Sequence, residues 1–128
     1  MTRLVFGGIR EQFPALKIVA THGGGVLPYL AGRLDAAWRS DQEVQQRLPQ
    51  APSVYLKQLY MDALVYYEPA LLVLLAFAGD DHLMFGTDHP FSISDPQVNL
   101  DNIAQVVQNQ AHQEVILSGD ARKLFNLA

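Results

Sequence analysis

His82-Leu83-Met84-Phe85-Gly86-Thr87-Asp88-His89-Pro90-Phe91 is the stretch on which the reading of the fold turns. Its first half is an apolar run of strand length. A strand covered on both faces reads as such a run rather than as an alternation. The run breaks at Gly86, and a carboxylate, an imidazole and a proline follow at once. Asp and Pro are disfavoured inside strands, so the strand ends here with an ionisable pair at its C-terminal tip, where α/β folds place their chemistry. A plainer account is also open, in which Asp88 caps the turn that follows and Pro90 only stops the strand.

Upstream, two further runs have the same character. Lys17-Ile18-Val19-Ala20-Thr21 is short and β-branched, predicts a buried strand, and stops at His22-Gly23-Gly24-Gly25. Leu59 to Leu64 predicts another strand, which ends near Tyr66-Tyr67 and carries Asp62 close to its tip. Helical periodicity fills the intervals. Val5, Ile9 and Phe13 make a stripe over Thr2–Phe13 that Gly7-Gly8 weakens and Pro14 ends. Leu27, Leu30, Leu34 and Trp38 predict a helix with Pro28 in its first turn. Ser53–Lys57 suggests one short turn of helix. Glu68-Pro69 opens a segment, Ala70–Ala78, that is apolar nearly all round and closed by Gly79; such a helix is expected to be buried on every side. Asp95-Pro96 caps a helix striped by Leu100, Ile103 and Val107. Ala111–Leu117 and Asp120–Leu127 predict two closing helices separated by Ser118-Gly119.

The order α-β-α-β-α-β-α-α argues for a parallel α/β sheet built from right-handed β-α-β units. Three strands are few for such a sheet, which needs both faces and both edges covered, so the sequence reads as a piece of something larger. With 128 residues, 49% of them hydrophobic, residues 1–128 are expected to form a single domain. Ser40 to Pro52, polar and Gln-rich, is the nearest thing to a linker. Net charge is −4 with scattered Lys and Arg, which argues against nucleic acid as a partner. Cysteine is absent, which removes disulfides and thiolate chemistry and fits a cytoplasmic protein. No charged stretch precedes an apolar run at the N-terminus, and Pro69–Gly79 is too short to span a bilayer, so no membrane association is expected.

In a parallel sheet all strand tips face one side. His22, Asp62, Asp88 and His89 can therefore converge, and converging imidazoles and carboxylates suit both divalent-metal ligation and proton transfer. The glycines after His22 let backbone approach a ligand, and the helix that follows favours an anion at its N-terminus.

Taken together, these motifs resemble the amidohydrolase-related family, in the branch that includes aminocarboxymuconate-semialdehyde and resorcylate decarboxylases. The resemblance is carried by Phe13-Pro14-Ala15-Leu16-Lys17-Ile18 leading into Thr21-His22-Gly23-Gly24-Gly25, by Pro28-Tyr29 and Gly32-Arg33-Leu34, and by Tyr60-Met61-Asp62. Gly86-Thr87-Asp88-His89-Pro90-Phe91 and Ala121-Arg122-Lys123-Leu124-Phe125 complete it. It spans nearly the whole chain. It implies the C-terminal part of a (β/α)8 barrel, strands six to eight, with a divalent metal, usually zinc, at the rim. It also implies metal-dependent hydrolysis or non-oxidative decarboxylation of a small carboxylate-bearing substrate.

By the same resemblance Asp88 is a metal ligand that also handles a proton, and His22 activates water or assists proton transfer. Arg33 reaches across a subunit interface toward a substrate carboxylate, His89 flanks the substrate, and Asp62 stands behind the ligands. The family also carries a His-x-His on its first strand and a His on its fifth, neither of which occurs in this sequence. A barrel of this type takes roughly 250 residues. The chain is therefore expected to be the C-terminal part of such a barrel, completed by another chain, by a second copy of itself, or by residues outside these 128. The competing readings are an inactive truncated fragment and a non-catalytic interaction module. Two chemistry-bearing strand tips speak against the module, since a scaffold gains nothing from His22 and Asp88.

Overall fold

Three short strands position everything else. The computed structural model describes residues 1–128. Strands β1 (Val19–Ala20), β2 (Tyr60–Asp62) and β3 (Leu83–Met84) form one parallel sheet in the order β1-β2-β3. Val19 stands opposite Tyr60 and Ala20 opposite Met61; Met61 stands opposite Leu83 and Asp62 opposite Met84. Each strand lies inside its expected run. Ala20, Met61 and Leu83 are buried, as the continuous apolar runs require of strands covered on both faces.

The helices are α1 (Thr2–Phe6), α2 (Ile9–Gln12), α3 (Leu27–Arg39), α4 (Gln42–Arg47), α5 (Pro52–Leu56), α6 (Glu68–Ala78), α7 (Pro96–Val106), α8 (Gln110–Glu114) and α9 (Asp120–Phe125). Proline opens α3, α5, α6 and α7, where its missing N–H and fixed φ cost nothing. Asp95 caps α7 by accepting from the Val98 N–H at 3.2 Å. The core lies between the sheet and these helices, with Leu56, Leu71, Leu74, Ile103 and Ile116 at its centre.

Four expectations are corrected. The Thr2–Phe13 stripe is two helices rather than one weakened helix, because Gly8 takes a left-handed φ of +70° between them. The Ser40–Pro52 stretch is folded, not a loop. Asp41 caps α4 through the Val44 N–H at 3.1 Å, the Trp38 indole N–H donates to the Leu48 carbonyl at 2.9 Å, and Leu48 itself is buried. Helix α6 is not buried all round: Leu71 and Leu74 face the core, while Leu72 and Val73 are 50% and 44% exposed. A helix laid on one face of a sheet has an outer face, and nothing in this chain covers that of α6. Finally, Ser118-Gly119 does not separate the closing helices. Val115–Gly119 is a π-helical turn running straight into α9, with Gly119 in ordinary helical geometry.

That π-helical turn also places Asp120. As the first residue of α9 it makes no helix-cap hydrogen bond. Its buried carboxylate instead accepts from the Leu83 N–H at 3.2 Å, while the Ile116 carbonyl accepts from the Phe85 N–H at 2.8 Å. The carbonyls of His82 and Met84 accept from β2, so Leu83 and Phe85 point to the opposite edge. The C-terminal segment therefore takes up two outward N–H groups of the β3 edge. The β1 edge stays open: the Ile18 carbonyl accepts from Tyr60, which turns the backbone groups of Val19 outward, and no strand lies beyond β1.

Candidate active site at the strand tips

Each strand tip delivers one acid–base group to the same rim. Beyond β1 the chain enters a tight turn, His22–Gly24, before α3. Beyond β3, Gly86-Thr87 leads to Asp88. The two side chains meet: His22 Nε2 lies 3.4 Å from Asp88 Oδ1, across 66 residues of sequence. The His22 side chain is 61% exposed and that of Asp88 only 21%, so the imidazole faces open space while the carboxylate is backed by protein.

Both residues hold left-handed backbone conformations, φ +56° at His22 and +58° at Asp88. Non-glycine residues avoid that region, and residues held there cluster at functional sites, at a cost of about 1–3 kcal/mol each. The surrounding structure enforces it. The Asn99 amide donates to the Gly86 carbonyl at 3.0 Å, the Ser94 hydroxyl donates to the Thr87 carbonyl, and the Phe91 N–H donates to the Asp88 carbonyl at 2.9 Å. Asp88 opens the turn that follows through its carbonyl, while its carboxylate is turned to His22 and α7 is capped by Asp95.

The remaining expected residues divide. Asp62 lies at the tip of the middle strand; its Oδ1 accepts from the Gly23 N–H at 3.0 Å and the Leu64 N–H at 3.2 Å. His89 is exposed beside Asp88, with its N–H donating to Thr87 Oγ1 at 3.3 Å. Arg33 is exposed on α3 and enters none of the ion pairs, which all involve His. His82 lies at the far end of its strand, Nδ1 3.2 Å from Asp81 Oδ1 and its ring stacked on Tyr60 at 4.8 Å; that hydrogen bond holds the Asp81 carboxyl below its ordinary value. His112 pairs with Asp80 at 2.9 Å on the surface. Neither reaches the rim. Asn99 and Ser94 escaped the sequence reading. Asn99 carried a signal, since it stands four residues before Ile103 on the apolar face of α7 and is fully buried.

A parallel sheet with an imidazole and a carboxylate converging on its C-terminal rim agrees with the Amidohydrolase family, whose profile matches residues 1–127, and the chain belongs to that family. It is 28% identical over 127 residues to the 2-amino-3-carboxymuconate-6-semialdehyde decarboxylase of Dictyostelium discoideum, covering 97% of this chain and 35% of that protein. The apo crystal structure of IDCase from Metarhizium anisopliae superposes with a TM-score of 0.85 at 31% identity, over 98% of this chain and 38% of that one. A dihydroxybenzoic acid decarboxylase from Polaromonas sp. JS666, solved with bound manganese and the inhibitor 2-nitroresorcinol, superposes at 0.80 with 26% identity over 98% and 38%. The fold is thus that of the last three β/α units of a (β/α)8 barrel, and the chain spans little more than a third of the length of these relatives.

The donors present do not complete a metal site. Catalytic zinc takes three protein ligands as a rule, and no group of three or more His, Cys, Asp or Glu side chains lies close enough to hold an ion. His22 and Asp88 supply two donors at most.

Proposed function

We propose that this chain carries the proton-handling rim of a carboxy-lyase of the amidohydrolase family, acting by non-oxidative decarboxylation on a small carboxylate-bearing substrate. The observation that carries the reading is the His22–Asp88 approach of 3.4 Å between two strand tips. The decarboxylases among its relatives favour this reaction over hydrolysis. Asp88 and His22 are the catalytic pair: they stand just outside the roughly 2.6–3.2 Å reach of proton transfer, so a small closing movement lets a proton pass between Oδ1 and Nε2 and on to the carbon that loses its carboxylate. Asp88 also offers its carboxylate to a divalent metal, zinc by resemblance, together with donors from outside these 128 residues. Such an ion would polarise the substrate's oxygens. Arg33, exposed and without an ion pair, has the bidentate fork that a substrate carboxylate takes across a subunit interface, and His89 is exposed beside Asp88.

The complementing donors lie outside these 128 residues, in the same polypeptide or in a second one. The open β1 edge supports this, as do the apolar groups exposed at the rim, Tyr29, Phe91 and Ile93, since uncovered edges and apolar patches mark interfaces. The test is co-expression with the preceding barrel strands of the Polaromonas decarboxylase, followed by measurement of carbon dioxide release from a dihydroxybenzoate. The assembled complex is expected to release it, and His22→Asn and Asp88→Asn are each expected to lower the rate at least about a hundredfold. An assembled, active complex whose rate ignores both substitutions overturns the proposal.

A further inference from the structure

We infer that Asp62 is the positioning residue that sets the approach of His22 to Asp88, acting from the middle strand on both outer tips. The inference rests on the reading of His22 and Asp88 as the reacting pair. Three observations carry it.

The first is the set of hydrogen bonds. Asp62 Oδ1 accepts from Gly23, the residue immediately after His22, at 3.0 Å and from Leu64 on its own segment at 3.2 Å. One oxygen thus ties the His22 turn to β2. A carboxylate accepting two backbone N–H groups makes charge-assisted bonds, stronger than neutral ones. The second observation is what that bond fixes. Gly23 is buried at φ +60°, and a Cβ there would meet Val65 Cγ1 at 2.6 Å. The turn after His22 is seated against the segment that follows Asp62. With Gly23 pinned, the left-handed conformation of His22 (φ +56°) and the direction of its imidazole are set.

The third observation lies on the other side. A Cβ at Gly86 would stand 3.2 Å from Asp62 Cβ and 3.5 Å from its Cγ. Asp62 therefore packs directly on the backbone that leads from β3 into Asp88. A side chain between the two tips, bonded to one and in contact with the other, fixes the spacing between them. His22 and Asp88 themselves touch only at the limit of a hydrogen bond, too loosely for the pair to hold its own geometry.

Two substitutions separate the roles: Asp62→Asn keeps an accepting oxygen and Asp62→Ala removes it. The readouts are amide hydrogen exchange and imidazole nitrogen chemical shifts on the isotope-labelled full chain. In the wild type, Asp88→Asn is expected to shift the His22 Nε2 resonance. Asp62→Asn is expected to preserve that response and the protection of the Gly23 amide. Asp62→Ala is expected to lower Gly23 protection at least tenfold, with Met61 still protected, and to abolish the response of His22 to Asp88→Asn. If Asp62→Ala does not fold, Gly86→Ala decides: its added methyl pushes on Asp62 and is expected to weaken Gly23 protection and the His22 response together. An acid held only for stability would lower the melting temperature and leave the His22 response intact. That result, in Asp62→Ala or in Gly86→Ala, overturns the inference. These readouts involve no turnover, so they stand apart from any failure of the decarboxylase reading.

Discussion

At the scale of single residues, Asp120 is the least expected. Its carboxylate is buried and accepts from a β3 N–H. Burial pushes its pKa above the ordinary carboxylate value, reinforced by Asp81 and opposed by the Leu83 N–H, His82 and Lys123. A carboxyl with a raised folded-state pKa binds its proton more tightly when folded. It contributes most to stability below the unfolded-state pKa, and that contribution is lost as pH rises through the folded-state value. Asparagine offers the same acceptor oxygen without the charge. Asp120→Asn is therefore expected to be more stable than wild type at neutral pH, with the gap closing as pH falls below the carboxylate range. Urea unfolding across that range checks this. A variant less stable than wild type at neutral pH would mean that the charge itself holds the C-terminal segment on β3.

Among the elements, β1 and β3 look alike in sequence and differ in consequence. Both are short and apolar, and both end the sheet. Two N–H groups of the β3 edge are taken up by the Ile116 carbonyl and the Asp120 carboxylate, whereas the outward groups of Val19 meet no strand. Self-association of the chain alone is therefore expected at the β1 side. Light scattering coupled to size-exclusion chromatography is expected to show concentration-dependent association. Val19→Pro removes an outward N–H that has no partner strand and is expected to shift the population to the monomer mass without loss of helical signal. Association that persists in Val19→Pro would assign the contact to the exposed side of α6 or to the rim instead.

Across the whole molecule, coverage of little more than a third of its relatives and two candidate ligands at the rim lead to the same expectation. Titrating the metal-free chain alone with zinc in a calorimeter is expected to show no saturable one-to-one binding in the micromolar range, because two donors leave a coordination sphere short by one or more. Tight binding that disappears in Asp88→Ala would show that a further donor swings in, with His89, exposed beside Asp88, the first to test.

The alternation of strands with helical segments, the three strands and the residues at their tips were legible in the chain before it was folded, because they follow from local properties. Continuous apolar runs read as doubly covered strands, Gly and Pro punctuate them, and Asp95-Pro96 or Glu68-Pro69 starts a helix wherever it falls. His22 and Asp88 stood out for the same reason, as polar residues placed where a buried run stops. Other features depended on what stands nearby in space. Helix α4 emerged from a polar stretch because the Trp38 indole and the buried Leu48 fold it back on α3. The outer side of α6 stayed exposed because an apolar composition does not supply a neighbour. Asn99 and Ser94 became supports of the Asp88 turn through contacts the chain makes only once α7 has packed. The different treatment of the two sheet edges was settled by a π-helical turn that brings Ile116 and Asp120 onto β3. Hydrogen bonds between positions far apart in the chain leave no periodic trace in a sequence, so these features took shape only when the elements packed together.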